Sequence, residues 1–198
     1  KNQLDYKNTP ANAPAAILAA RLHARFGAEE DLAWAKRIYE WNLENLVDPE
    51  TGFVWDGMNR IGDGRIDYDW AFTYCQGVMI GAGLELHALT GESRYLREAE
   101  RTAQATIDRL VDPETGMLPD EGIDDTGLFK GILVRYVKLL IASGAEGAEA
   151  WADILRRNGE TLRERGIDRA SGAIGPSWSK PPAGPVQLSV RLSGVMLA

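Results

Sequence analysis

The segment Leu-Val-Asp-Pro-Glu-Thr-Gly occurs twice, at 46–52 and 110–116, and a reduced third version, Gly-Ile-Asp-Arg-Ala-Ser-Gly, follows at 166–172. Its aspartates, Asp48, Asp112 and Asp168, lie 64 and 56 residues apart. A period of that length accommodates two helices and a long loop. The repeat therefore constrains the chain to an array of helical hairpins.

Between the repeated segments, apolar residues recur at three- and four-residue spacing, with Gly and Pro mostly at the joints. The pattern predicts paired helices at about 11–26 with 30–46, 73–89 with 92–110, and 127–143 with 147–164. Within each pair the joint is short and holds a glycine suited to ending a helix in a left-handed conformation: Gly27, Gly91 and Gly144. Between pairs the joints are long, at about 47–72, 111–126 and 165–185, and a seventh helix starts near Val186.

The two helices of a pair differ in character. The second ones are amphipathic: Tyr95, Leu96, Ala99 and Ala103 form one stripe and Trp151, Ile154, Leu155, Asn158 and Leu162 another, each opposed by a charged face. The first ones, as at 77–84 and 128–134, are apolar nearly all round and contain glycines that permit close helix contacts. Inner and outer helices alternating between short and long joints describe an all-α toroid of α/α hairpins, or failing that an open solenoid. Solenoid repeats are shorter, about 33–47 residues. A closed toroid at the present period needs roughly 350 residues, so the expectation is that residues 1–198 form the C-terminal part of one toroid domain, about half of the barrel.

At 44% hydrophobic and 26% charged residues, the chain has enough apolar content for a core. No signal peptide or membrane span is visible; the compartment stays open, secreted or periplasmic if a signal peptide stood upstream and cytoplasmic otherwise. A net charge of −7 argues against nucleic acid or an anionic membrane as partner. The single cysteine, Cys75, has no histidine arrangement suggesting a thiol nucleophile, and His23 and His87 have no ligands at metal spacing. No cofactor or metal is expected.

In a toroid the long joints and the starts of the inner helices share one face, where a site is expected. The first loop carries Trp55, Asp56, Asp63, Asp67, Asp69, Trp70 and Phe72 and leads into Tyr74, Cys75 and Gln76. The second carries Asp120, Glu121, Asp124 and Asp125 before Lys130, and the third carries Trp178. Carboxylates among aromatic rings and amides suit a sugar, whose apolar faces stack and whose hydroxyls need partners. Hydrolysis of a glycosidic bond requires two carboxyl groups, one protonated and one ionised. The same loops could equally be serving caps and packing.

The strings 73–86 (TYCQGVMIGAGLEL), 89–96 (LTGESRYL), 128–136 (LFKGILVRY), 175–178 (GPSW) and 15–22 (AAILAARL) resemble family 76 glycoside hydrolases, in order along essentially the whole chain. The resemblance implies an (α/α)6 toroid hydrolysing α-1,6-linked mannose chains of microbial cell walls with retention of configuration. It further implies that the catalytic Asp-Asp pair lies upstream of this chain, leaving the catalytic residues unassigned here. Cys75 stands where the family commonly has asparagine, and a thiol cannot reproduce an amide's donor and acceptor.

Within that reading Asp69, Tyr74, Gln76, Lys130 and Trp178 are the expected substrate-binding residues. Each has a plainer alternative: capping or ion pairing for Asp69, core packing for Tyr74 and Gln76, an ion pair to a carboxylate such as Asp69 for Lys130, and a lid on the core for Trp178. Asp124-Asp125 either mimics the family's pair or caps the following helix, with Asp125 or Thr126 as N-cap. Expected partners are mannan or manno-oligosaccharide and the missing N-terminal half of the toroid, with self-association through the faces that half would cover. The rival functions are a sugar epimerase or lyase on the same toroid, and a non-catalytic helical-repeat module binding glycan or protein.

Overall fold

The computed structural model describes residues 5–198. The chain divides into two compact units, 1–105 and 106–198. The first contains α1 (Thr9–Phe26), α2 (Glu29–Leu46), α3 (Thr73–Thr90) and most of α4 (Ser93–Leu110); the second contains α5 (Phe129–Ser143), α6 (Ala148–Thr161) and α7 (Leu188–Leu197). A short 3-10 turn, Thr126–Leu128, precedes α5, and a π-helical turn, Leu162–Gly166, extends α6. The only sheet among the described residues is a two-residue ladder, β1 (Lys7–Asn8) antiparallel to β2 (Gly57–Met58).

All six paired helices and the start of the seventh agree with the sequence pattern to within about three residues, close to the ordinary uncertainty of a helix end. Asn8 caps α1 by accepting the Ala11 N–H at 3.2 Å. Glu29, Glu30 and Asp31 place negative charge in the first turn of α2, where the helix dipole favours it. The expected glycines end α1, α3 and α5 in the left-handed conformation, at φ of 74°, 68° and 68°.

In the first unit α1 packs on α2 and α3, and α3 is buried on all sides from Cys75 to Gly83. The buried stripe of α4 includes Tyr95, Ala99 and Ala103, with Leu96 at its edge. A methyl group at Gly83 would stand 2.8 Å from the Tyr95 carbonyl oxygen, so α4 lies against α3 only because that side chain is missing. In the second unit α5 is sandwiched between α6 and α7, and Gly131 plays the same part against the Ser193 backbone. On α1 the packing is incomplete: Leu18, Leu22 and Phe26, one turn apart, remain 60%, 36% and 72% exposed.

The three repeated segments fold into one geometry. The Asp48, Asp112 and Asp168 carboxylates each accept the N–H groups two and three residues ahead at 2.7–3.1 Å. The N–H of Gly52, Gly116 or Gly172 then returns to the aspartate carbonyl at 2.8 Å. These glycines have φ of 83°, 70° and 67°, a region that costs an L-residue roughly 1–2 kcal/mol. The repeat is thus a self-contained turn that reverses the chain after each outer helix. Hydrogen bonds to Thr115, and to the Ser171 backbone N–H and hydroxyl, hold the Asp112 and Asp168 carboxyls below the usual carboxylate range.

Candidate functional site

In the first unit the loop after α2 is anchored to the starts of the helices that follow. Gln76, fully buried in the first turn of α3, accepts the Val54 N–H at 2.9 Å and donates to the Val54 and Phe72 carbonyls at 2.6 and 3.2 Å. Thr102 on α4 donates to the Gly52 carbonyl at 2.9 Å. This fixes the apolar run Phe53-Val54-Trp55 in the core and delivers the next residue, Asp56, as a buried carboxyl.

Asp56 is 4% exposed, and its two oxygens accept from different partners. Tyr6 donates to Oδ2 at 2.8 Å, Tyr74 donates to Oδ1 at 2.7 Å, and the Cys75 thiol lies 3.6 Å from Oδ1. Burial, reinforced by the bond and the charge of Asp56, pushes the Tyr6 phenol well above its ordinary range. Burial, then Cys75 and Asp56, does the same to Tyr74. Both phenols therefore stay protonated as donors.

The loop then turns outward. Arg60 pairs with Asp67 at 2.9 Å and lies 4.6 Å above the Trp70 ring. Tyr68 stands edge-on to Trp55 at 5.0 Å. Tyr68 is 63% and Trp70 37% exposed, and Asp69 between them is exposed as well. This stretch presents two aromatic rings flanked by carboxylates to solvent, with the rings braced from behind.

In the second unit, Asn158 on α6 holds the second loop, accepting the Leu118 N–H at 3.0 Å and donating to the Gly116 carbonyl at 2.8 Å. Lys130, second residue of α5 and only 3% exposed, donates to the Pro176 carbonyl at 2.5 Å and sits 4.3 Å over the Trp178 ring. Burial lowers its pKa to about 8, against the opposing pull of Asp120 and Glu121. Trp178 is itself 2% exposed.

The five expected binding residues thus fall into two kinds. Asp69 is exposed and Tyr74 half-buried beside Asp56. Gln76, Lys130 and Trp178 are almost wholly buried, and the polar groups of Gln76 and Lys130 bond loop backbone. A loop packed over a helix start buries peptide groups that must be paired, and long polar side chains in the first turn are within reach to pair them. The expected ion pair of Lys130 to a carboxylate such as Asp69 gives way to the Pro176 carbonyl and the Trp178 face. Cys75 turns inward to Asp56.

The capping expectation for Asp124-Asp125 is corrected. Asp125 is in helical conformation at the head of the 3-10 turn and makes no capping bond. Asp124, at φ 60°, instead exchanges two hydrogen bonds with Gln187: its Oδ1 accepts from Nε2 at 2.6 Å, and its N–H donates to Oε1 at 2.5 Å. Thr126 bonds back to the Ile123 carbonyl at 2.6 Å. His23 and His87 bond carbonyls of Ala28 and Glu92 at the short joints. Among the described residues, no three His, Cys, Asp or Glu side chains gather as a metal site, and no helix is long and apolar enough to cross a membrane.

Sequence reasoning passed over Tyr6 and did not single out Asp56. The available signal for Asp56 was a lone carboxylate in the otherwise apolar run 53–57. Tyr6 carried none, because its contact spans 50 residues.

The profile of glycosyl hydrolase family 76 matches residues 1–181. Mannan endo-1,6-alpha-mannosidase DCW1 of Saccharomyces cerevisiae is 36% identical over 139 residues, 67% of this chain and 31% of that protein. The structure is similar to that of the Lin0763 protein of Listeria innocua, with a TM-score of 0.90 and 41% identity, covering 97% of this chain and 54% of the other. It is also similar to an inactive variant of the α-1,6-mannanase GH76A of Salegentibacter sp. HEL1_6, with two adjacent aspartates replaced by alanine, in complex with α-1,6-mannotetrose. That similarity has a TM-score of 0.91 and 43% identity, covering 98% and 58%. The chain therefore spans little more than half the length of these structural relatives and about a third of the yeast protein. It belongs to glycosyl hydrolase family 76 and carries about half of an (α/α)6 toroid.

Proposed function

We propose that this chain contributes one part of the substrate cleft of a hydrolase that cleaves α-1,6-mannosidic bonds in microbial cell-wall mannan. Family membership supports the reaction class, and the mannotetrose-bound relative supports the ligand. The observation that carries the reading for this chain is the braced, exposed pair Tyr68 and Trp70 flanking Asp69. Rings with apolar faces open to solvent and carboxylates beside them offer a mannose unit both stacking and hydrogen bonds. Tyr74 and Asp69 touch sugar in this reading. Gln76, Lys130 and Trp178 act through the loops they hold.

The catalytic carboxylates belong, in this reading, to a part of the toroid that these 198 residues do not span. The exposed Asp124, occupied by Gln187, makes a poor partner in a dyad that needs one protonated carboxyl. Both compact units are assigned to a single toroidal domain, since the family match runs continuously through them. The Leu18, Leu22 and Phe26 stripe is then a face covered by further helices of that domain, and it makes the isolated chain prone to self-association.

Product analysis of linear α-1,6-mannan incubated with this chain, beside a version extended through the whole toroid, tests the reading. Cleavage by the longer version alone is expected. Cleavage by the short chain would place the acids within it, and no cleavage by either would overturn the mannanase assignment in favour of a binding module.

A further inference from the structure

The Asp56 carboxyl is almost wholly buried, and the structure around it is built to meet it. Its three partners come from two segments: Tyr6 from the stretch before α1, and Tyr74 and Cys75 from the first turn of α3. The backbone of residues 5–9 is strapped to the Asp56 segment by the β1–β2 ladder and by Thr9, whose N–H donates to the Asp56 carbonyl and whose hydroxyl donates to the Trp55 carbonyl, both at 2.8 Å. The residue after Asp56 is shaped for the same contact. A methyl group at Gly57 would stand 2.6 Å from the Tyr6 hydroxyl and 2.8 Å from its ring, so any larger residue would push Tyr6 off the carboxyl. Asp56 and Gly57 together make a seat for one phenol, and the opening of α3 supplies the second.

We propose that Asp56 is a positioning residue that sets the hydrogen-bond polarity of Tyr74 at the sugar site, with Tyr6 closing the other side of the carboxyl. A phenol has one proton and can accept through its oxygen. With that proton committed to Asp56, the Tyr74 oxygen meets a ligand only as an acceptor, so the group it selects is a hydroxyl that donates, such as a mannose O–H. The arrangement also fixes the ring, because Tyr74 cannot rotate its hydroxyl away without leaving the buried Oδ1 to the weak thiol donor alone. Cys75 sits beside the same oxygen but is a weak donor, so the two phenols carry the seat. This inference rests on the mannan reading for its ligand and on geometry alone for its mechanism.

The test uses the version extended through the whole toroid, with Asp56→Asn, Tyr74→Phe, Tyr6→Phe and the double variant Asp56→Asn/Tyr74→Phe. Two measurements are made: calorimetric binding of α-1,6-mannotetraose, and ultraviolet titration of the tyrosines between pH 8 and 12. In the parent, Tyr6 and Tyr74 should stay silent across that range. Asp56→Asn removes what Asp56 adds to the effect of burial and should move the titration of at least one of them down, and the double variant should lack whatever part of that change belongs to Tyr74. Asp56→Asn and Tyr74→Phe should each weaken binding about tenfold, the loss of one hydrogen bond. The double variant should be no weaker than either, because Asp56 acts through Tyr74. Losses that multiply in the double variant, or a titration unchanged by Asp56→Asn, would overturn the proposal. Should Asp56→Asn fail to fold, Tyr74→Phe still decides, since binding within twofold of the parent would overturn it. A parent that does not bind mannotetraose would sink the mannan reading, while the titration would still decide whether Asp56 fixes the phenols.

Discussion

Two loops are pinned to the starts of two inner helices by opposite means. In the first unit a buried amide and a buried carboxyl do it: Gln76 pairs both peptide groups of Val54, and Asp56 gathers two phenols. In the second unit a buried cation does it, with Lys130 under the Pro176 carbonyl and over the Trp178 ring. The neutral and anionic anchors have every oxygen named here paired to a donor, whereas the ammonium has a carbonyl and a ring face to offset its desolvation. The second anchor should therefore respond to pH in a range where the first does not. Helix starts of similar position thus solve one problem, unpaired loop backbone, with whichever polar side chain the sequence supplies.

The largest expected effect comes from the ring beneath the cation. Trp178→Ala should cost about 3–5 kcal/mol, by loss of a fully buried indole and of the face that stabilises Lys130. Urea unfolding measures it, and a cost below about 1 kcal/mol would mean that Trp178 is no part of the anchor. Next, Gln76→Leu keeps the volume but strands the Val54 N–H and carbonyl, at about 2–4 kcal/mol for two buried groups. A neutral result would mean that the first loop is held elsewhere and the comparison fails.

The pH response separates the anchors further. Lys130 titrates at about 8 in the folded chain against 10.5 ordinarily. Between those values the unfolded chain holds a proton that the native state has released, so stability rises with pH across that window, while below about 8 the full cost of the buried charge persists. The rise should amount to no more than about 3 kcal/mol, reduced by whatever the Trp178 face and the Pro176 carbonyl return to the charged form. It should disappear in Lys130→Met, measured as the difference between the two stability curves from pH 7 to 10.5.

The smallest effects lie in the repeated turns. Gly172→Ala introduces left-handed strain alone, about 1–2 kcal/mol, since nothing lies within 4 Å of the new methyl. Gly52→Ala adds a contact at 3.0 Å with the Arg101 Cβ, so its melting temperature should fall further than that of Gly172→Ala. Equal shifts would show that Arg101 yields freely.

Much of the fold was legible in the sequence because helices write themselves locally. Three- and four-residue periodicity, a glycine at each short joint and the repeated Asp-to-Gly turn all act within a few residues of the positions that encode them. The buried stripe of α4 and the apolar wrap of α3 followed from the same arithmetic. The site was less legible. Its residue types and loops could be named, but whether a polar side chain in a helix's first turn faces ligand or loop depends on where another segment runs. Gln76 and Trp178 have the residue types of sugar-binding groups, yet tertiary packing turns both inward. Asp125 resembled a cap until the intervening 3-10 turn gave it helical geometry.

The sequence by itself determined the hairpin array, the period and the family, since each rests on short-range pattern or on ordered strings of residues. Only the tertiary structure decided that Asp56 is a shared acceptor for Tyr6 and Tyr74, that Lys130 is satisfied by a carbonyl and a ring, and that Tyr68 and Trp70 remain in solvent. Those partners lie 18 to 50 residues apart in the chain. A buried charge takes its partner from whatever the fold brings within 3 to 4 Å, and no local pattern encodes that distance.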